Sequence, residues 1–216
     1  MEPLLRPVPS ATESAHAQAL QLLERHGVLT REAVLAEGVE GGFAGVYPVL
    51  KALEERGLVR RGYFVAGLGA AQFALPGAVD RLRAQRTIDD ESRARVLVLA
   101  ATDPAQPYGA ALSWPERPGG SSRASRSAGA YVVLVDGECA AYLERGGKAL
   151  VTFTTEAGER GAVDVWAEAI VDAHKQGRLT KVQIERIDDE PARTSPHAAA
   201  LRAAGFADGY KGLTLR

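Results

Sequence analysis

A chain of 216 residues is long enough to bury a hydrophobic core and to form one or two domains. Its 26 Lys and Arg residues nearly balance 27 Asp and Glu residues, so the net charge of −1 excludes the strongly basic class of nucleic-acid-binding chains. The single cysteine, Cys139, excludes an intrachain disulfide, and the four histidines lack the spacing of metal ligands, so no metal site is predicted.

The first 77 residues have the pattern of a winged helix-turn-helix. The predicted elements are a helix ending at His26, a short strand at residues 28–30, a helix capped by Thr30, a helix over residues 43–56 that stops at Gly57, and a hairpin of residues 58–65 and 71–75. This order is the wing-bearing form of a motif whose commonest role is to bind DNA. A second interpretation stays open, in which the domain only packs within a larger machine.

Candidate DNA contacts in this domain lie on the third helix and on the wing. Tyr47 and Lys51 are predicted on the open face of that helix, where Glu54 and Glu55 leave the surface poorly basic. On the first strand of the wing, phosphate contacts are natural for Arg60, Arg61 and Tyr63. Ordinary solvated surface is an equally supported role for these three residues. Gln72, on the return strand, is predicted at an exposed position.

The rest of the chain is predicted to form a linker and an α+β module. Residues 78–95 indicate a basic linker helix, in which Arg81 and Arg83 are candidate DNA contacts. Residues 96–216 form the module, which begins with an apolar strand at residues 96–100 and continues through a turn-rich loop.

A meander follows in this module. Its predicted strands are residues 130–135, 139–144 and 150–154, which favours a small β-barrel or a curled antiparallel sheet. Flanking helices are predicted at residues 161–176 and after Ser195, with a strand at residues 182–187 between them. The predicted fold class is therefore α+β, a winged helix-turn-helix followed by this barrel-like module.

Candidate site residues of the module are a carboxylate, two aromatic side chains and two arginines. Asp103 follows the apolar strand and is the best candidate for a catalytic carboxylate, whereas the alternative is that it merely opens a turn. Tyr108 and Trp114 are candidates for stacking on a base. Arg123 and Arg126 belong to a run rich in Gly, Ser and Arg, which either follows a phosphate backbone or serves as a linker.

Several unusual runs in this chain resemble the C-terminal region of Lhr, the large helicase-related proteins of bacteria. The runs, which occur in the order expected for the family, are GGFAGVYPVLKALEERGLVRRGYFVAGLGAAQFALPGAVDRLR, LAATDPAQPYGAALSWPERP, AYVVLVDGECAAYLERGGKAL and GLTLR. The family's proteins are long ATP-dependent 3′-to-5′ DNA helicases. The resemblance implies that residues up to about 76 are the last winged helix and that the remainder is the family's β-barrel module.

The chain departs from a whole helicase of this kind. It has neither GxxxxGK[ST] nor an acidic box of the DEAD type, so the ATP and Mg²⁺ sites belong to a motor outside this chain, and no cofactor is predicted here. The barrel module is also similar to DNA glycosylases of the AlkZ type, and some Lhr C-terminal regions are associated with uracil-DNA glycosylase activity. The Gln-x-Gln pair of the AlkZ type does not occur in this sequence.

The resulting hypothesis is a non-motor DNA-binding and assembly module of an Lhr-type DNA repair helicase. Its expected partners are single-stranded or duplex DNA, the rest of the helicase chain, and further copies of itself. One alternative is a DNA glycosylase for uracil or alkylated bases, housed in the barrel. Another is a winged-helix transcription regulator, disfavoured because the third helix lacks an Arg, Asn or Gln cluster for reading bases. Without a signal peptide or an apolar span, the expected location is the cytoplasm, with no membrane partner.

Overall fold

The chain folds into two compact units. The computed structural model describes residues 9–69, 71–85, 94–117, 120, 123–155 and 165–215. One unit spans Met1–Asp90 with Ala110–Leu112, and the other spans Glu91–Gly109 with Ser113–Arg216. The described residues form six helices and three sheets, which confirms the α+β class. In the same part of the chain, no helix combines the length and the apolar composition that crossing a membrane requires.

The first unit has the element order of a winged helix. Its elements are α1 (Ala11–His26), β1 (Val28–Leu29), α2 (Arg31–Ala36), α3 (Gly42–Glu55), β2 (Arg60–Gly62), β3 (Gln72–Ala74) and α4 (Pro76–Ala84). The Thr30 hydroxyl accepts the Ala33 N–H at 3.1 Å, so the predicted cap of α2 is confirmed. Gly57 takes φ +71° directly after α3, as expected of a residue that ends a helix.

The core of this unit lies between the helices and a small sheet. The sheet has the order β1-β3-β2, and all of its pairs are antiparallel. The largest buried side chains come from α1, α3 and the sheet, and they include Leu23, Leu29, Leu50, Leu53 and Phe73. The periodic spacing of these apolar residues therefore places one face of each helix in the core.

Helix α4 belongs to this unit and is not a free-standing linker. It begins at Pro76, at the first helical position where a missing N–H costs nothing, and it ends at Ala84. Ala78 is buried, and a Cβ atom on Gly27 would lie 3.2 Å from the Ala78 Cβ, so the helix packs on the end of α1. The predicted linker helix over residues 78–95 thus starts earlier, and residues 86–93 lie outside the described residues.

The second unit contains a six-stranded sheet. Its elements are β4 (Val96–Ala100), β5 (Tyr131–Val135), β6 (Glu138–Leu143), β7 (Ala149–Thr152), α5 (Val165–Lys175), β8 (Gln183–Ile184), β9 (Arg186–Ile187), β10 (Glu190–Pro191), α6 (Ala198–Ala204), β11 (Ala207–Asp208) and β12 (Leu213–Thr214). The order in the large sheet is β10-β9-β7-β6-β5-β4, and β11-β12-β8 form a small separate sheet.

The predicted meander is present, but no closed barrel is found among the described residues. Strands β4 to β7 pair antiparallel in sequence order, and Asp136 and Gly137 form the predicted tight turn with φ +50° and +89°. The edge strands β4 and β10 do not pair with each other there, so the sheet is open. Strand β9 adds to β7 in parallel, which makes the sheet mixed and not purely antiparallel.

Both faces of the sheet are covered, which explains the continuous apolar run in β5. Val133 and Val135 pack with Trp166 and Ile170 of helix α5 on one face. Side chains from the alternate positions, including Val132, pack against the loop that follows β4 on the other face. A strand that is buried on both faces has no solvent side, so its sequence need not alternate apolar and polar residues.

Candidate nucleic-acid interface

The tip of the wing is held by one buried side-chain amide. Gln72 is fully buried, and its Oε1 accepts hydrogen bonds from the backbone N–H groups of Phe64 and Val65, both at 2.8 Å. Its Nε2 donates to the carbonyl oxygens of Val65 at 3.0 Å and Leu68 at 3.3 Å. The predicted exposed position of Gln72 is therefore wrong, because the loop folds back over this strand and uses the amide as its internal partner.

Arg60 and Arg61 point to opposite faces of the wing, as successive strand residues do. The Arg61 Nε lies 3.1 Å from the Glu54 Oε1 on helix α3, so this guanidinium is already engaged within the protein. Arg60 is exposed and forms no ion pair with any residue that the structure describes. Tyr63, just beyond the end of β2, is 85% exposed. All three predicted wing residues are exposed, and Arg60 is the arginine of the two that has no ion pair with a described residue.

The open face of α3 carries little positive charge. Lys51 is exposed, but its Nζ lies 3.9 Å from the Glu55 Oε1, one helical turn away. Tyr47 is half-buried, with its ring centroid 5.8 Å from that of Phe43 and 5.9 Å from that of Phe73. The Tyr47 ring therefore belongs to the edge of the core and not to the open face where it was predicted.

Helix α4 offers two exposed guanidinium groups. Arg81 and Arg83 both lie on the solvent side, and the Arg83 Nη1 is 3.6 Å from the Asp80 Oδ1. An exposed pair of this kind contributes little to stability and does not sequester the arginine. Both residues retain the accessibility that a phosphate contact requires.

In the second unit, Arg126 serves the architecture of the loop after β4. Its guanidinium donates to the carbonyl oxygens of Gln106 at 2.6 Å, Asp103 at 3.0 Å and Tyr108 at 3.4 Å. Buried Gln106 adds a second set of bonds, because its Nε2 donates to the carbonyls of Ala101 and Tyr108, and its Oε1 accepts the Tyr108 N–H. Arg126 therefore binds backbone carbonyls inside the protein, contrary to its predicted alternatives of phosphate ligand or linker.

Asp103 has the geometry of a residue that opens a turn. Its Oδ1 accepts the Ala105 N–H at 2.8 Å, and its carbonyl oxygen accepts the Gln106 N–H at 3.1 Å. The carboxylate is only partly buried. These bonds account for an aspartate at this position without chemistry, and the predicted catalytic role stays a prediction.

The two aromatic residues proposed to stack on a base are stacked on each other. The ring centroids of Tyr108 and Trp114 are 6.2 Å apart at an interplanar angle of 26°, and Trp114 meets Tyr142 edge-on at 5.6 Å. The Tyr108 hydroxyl donates to the Gly137 carbonyl at 3.2 Å, and burial raises the pKa of this phenol. Both rings are half-buried against the sheet, so this arrangement favours a role in packing.

Arg123 is exposed, unlike Arg126 of the same run. Its side chain lies on the surface, whereas neighbouring positions 118, 119, 121 and 122 lie outside the described residues. It remains a candidate phosphate contact from the second unit.

A polar cluster around Asp188 was not predicted. Asp188 and Asp189 occupy the turn between β9 and β10 with φ +53° and +69°, a conformation that aspartate tolerates better than most residues. The Asp188 carboxylate accepts the Thr152 N–H at 2.8 Å and the Thr152 hydroxyl at 2.6 Å. Arg117 Nε and His197 Nε2 lie 3.5 and 3.8 Å from it. These contacts join distant parts of the chain, so only the acidic turn itself was visible in the sequence.

Comparison with known proteins identifies the family. Residues 8–94 match the winged-helix domain of the large helicase-related proteins. A Mycolicibacterium smegmatis protein named Lhr helicase/probable uracil glycosylase is 46% identical over 217 residues, covering 96% of this chain and 14% of that protein. An Escherichia coli protein named Lhr helicase/uracil glycosylase is 36% identical over 203 residues, covering 94% of this chain and 13% of that protein. The chain therefore belongs to the Lhr family, of which it represents a small C-terminal segment without the motor.

Proposed function

We propose that this chain is a non-motor DNA-binding and assembly module of an Lhr-type helicase, and that its wing contacts the DNA backbone. The observation that carries the proposal is the wing itself: Arg60 and Tyr63 are presented to solvent at a hairpin whose tip Gln72 holds in place. An exposed cation and an exposed aromatic ring on one hairpin suit contact with phosphate and sugar without reading of bases.

The chemistry of the surface predicts weak binding without sequence preference. The face of α3 that carries Lys51 also carries Glu54 and Glu55, so it offers few donors for base edges in the major groove. The candidate phosphate contacts are the exposed arginines of the wing, of α4 and of the second unit, namely Arg60, Arg81, Arg83 and Arg123. Because each phosphate contact releases about 0.9 counterion from duplex DNA, a few contacts give a shallow dependence of log K on log salt.

The test compares two adjacent arginines on opposite faces of the wing, of which Arg61 is paired with Glu54 and Arg60 forms no ion pair with a described residue. Binding of the purified chain to fluorescein-labelled duplex and single-stranded DNA is measured by anisotropy across a salt series. Arg60→Gln should weaken binding to all sequences alike and lower the salt slope on duplex DNA by about 0.9. Arg61→Gln is the matched control, because Arg61 is engaged by Glu54 and should change the slope much less.

Two results would contradict the proposal. One is a wild-type chain that binds neither DNA at low salt. The other is an Arg60→Gln variant that loses affinity for one DNA sequence only, since that result assigns base reading, and not phosphate contact, to the wing.

The proposed partner in the assembly role is the rest of the helicase chain, since this chain covers 14% and 13% of its two relatives. The rest of the helicase chain would supply ATP hydrolysis. We expect no DNA-stimulated phosphate release from this chain, and release that persists through repeated purification would contradict the assignment as non-motor.

Base excision is the second candidate function, because the names of both relatives include uracil glycosylase. Excision requires an everted base and a group that activates water or stabilises the developing cation. Asp103 is the proposed carboxylate, and Asp103→Asn is a sharper test than alanine because the amide oxygen can still accept the Ala105 N–H. If Asp103 is the general base, this variant should lose on the order of a hundredfold in uracil excision with DNA binding retained. Equal excision by both proteins would remove Asp103 from the mechanism.

A further inference from the structure

The hairpin of β11 and β12 displays an aromatic ring and a cation at its tip. Tyr210 is 94% exposed, the highest value among the large hydrophobic side chains that the structure describes. Lys211 beside it is also exposed and forms no ion pair within that part of the chain. A tyrosine ring left in water at this level contributes nothing to the core, so folding does not explain its position.

The hairpin beneath this tip is held in place. The Gly209 N–H donates to the Gly212 carbonyl at 2.7 Å, which closes the turn around the two tip residues. A Cβ atom on Gly212 would lie 2.0 Å from the Ile184 carbonyl oxygen, so the chain packs directly on the backbone of β8. Leu213, the next residue, is fully buried. The tip is therefore presented from a fixed base, which lowers the entropic cost of a contact.

The surface around the hairpin is basic. Asp208 in β11 accepts two hydrogen bonds from Arg202, at 3.0 and 3.3 Å, and the Arg202 hydrogen bond is the main cause that lowers the pKa of the Asp208 carboxyl. Arg193 is close enough to contribute to the same effect. Counting Arg193, Arg202 and Lys211 against Asp208, the local charge is three minus one, or +2. An exposed aromatic ring next to a cation, here Tyr210 next to Lys211, is the combination with which proteins bind single-stranded nucleic acid.

We propose that the Tyr210–Lys211 tip binds single-stranded DNA, with the Tyr210 ring stacked on an unpaired base and Lys211 close to the adjacent phosphate. This contact lies in the second unit and extends the proposed DNA-binding function, on which it rests. Because every base has a stacking face, the tip gives no sequence preference. It supplies an affinity for unpaired bases that phosphate contacts from the wing do not provide.

The test measures anisotropy with a fluorescein-labelled, mixed-sequence single strand of roughly 12 nucleotides, within the site sizes of single-strand binders. Tyr210→Ala should weaken binding between about fivefold and a hundredfold, the loss that alanine substitution of a stacking residue produces. Tyr210→Phe should bind as the wild type does, because the ring and not the hydroxyl stacks. On a strand of the same length built from abasic sites, all three proteins should bind equally.

Leu97→Ala is the control for removal of exposed apolar area, because Leu97 is an exposed side chain of β4 in the same unit. It should leave binding unchanged, and thermal melting of Tyr210→Ala should match the wild type. Tyr210→Ala binding within twofold of the wild type would overturn this proposal, and an accompanying loss in Arg60→Gln would leave the wing assignment standing. A wild-type chain that binds no DNA overturns both proposals. A change in oligomeric state by Tyr210→Ala, with DNA binding intact, would assign the tip to a protein contact instead.

Discussion

Replacement of Gln72 should loosen the tip of the wing. Its amide makes four hydrogen bonds to the backbone of the wing tip from a fully buried position. A net intramolecular hydrogen bond contributes about 1 kcal/mol, and some of the freed backbone groups will find water. We therefore expect Gln72→Ala to lower the free energy of unfolding of the first unit by about 2–4 kcal/mol, including the cavity.

Gln72→Glu isolates the polar part of this effect because it keeps the shape of the side chain. Its carboxylate still accepts from the Phe64 and Val65 N–H groups, but it places a second oxygen against the carbonyls of Val65 and Leu68. The destabilisation should therefore be relieved at acid pH, where the protonated group regains a donor.

The assay is urea denaturation combined with amide hydrogen exchange. In the wild type, the Phe64 and Val65 amides should be protected, and both variants should lose that protection before the protein unfolds. Affinity for DNA should fall together with the protection, since the wing presents Arg60 and Tyr63. Wild-type amides that exchange as fast as a free loop, or a Gln72→Ala variant as stable as the wild type, would refute the reasoning.

Three further predictions follow from side chains away from the wing. Arg126→Gln should lower the free energy of unfolding of the second unit by about 2–3 kcal/mol, because the charged donors of Arg126 bind three backbone carbonyls. An unchanged midpoint in urea denaturation would contradict this role of Arg126. Burial raises the pKa of the Cys139 thiol to about 12, so iodoacetamide at pH 8 should label it only in denaturant; rapid labelling of the native chain would refute this. A hydrogen bond from Arg25, with a smaller contribution from His26, lowers the pKa of the Glu37 carboxyl. Its stabilisation is present above the ordinary carboxyl pKa and is lost as pH falls through the lowered value, so Glu37→Gln should flatten stability on the acid side, and an identical acid limb would contradict it.

Signals confined to a few consecutive residues were sufficient to predict the elements of the first unit. The Thr30 cap and the Gly57 stop each depend on backbone geometry that those residue types favour locally. Together with the apolar periodicity, these signals predict the order of helices and strands, and that order indicates a winged helix.

The sequence did not predict the environment of individual side chains whose partners meet them only in the folded chain. Arg126 reaches carbonyls about twenty positions earlier, and even for Gln72, whose partners lie four to eight positions earlier, burial depends on how the loop returns over the strand. Asp188 joins Thr152, which is 36 residues away. No pattern in a local window distinguishes such a side chain from a solvated one.

The strand predicted at residues 182–187 shows the same limit for the backbone. Its alternation is real, but Gln183–Ile184 pairs with Leu213–Thr214 of β12, whereas Arg186–Ile187 pairs with Ala149 and Leu150 of β7. The Glu185 N–H between them donates to the Lys148 carbonyl at 2.7 Å. A chain that changes sheets within five residues retains its period of two, so periodicity predicts the strand and not its partners.

The most direct test of the DNA-binding assignment is a map of the interface by NMR. Amide resonances of an isotopically labelled chain are followed while a short DNA duplex is added. The assignment predicts the largest shifts in the wing, around Arg60 and Tyr63, with smaller shifts in α4 and none in the buried strand β6. Shifts confined to the core-facing side of the domain, or no shift at saturating DNA, would contradict it.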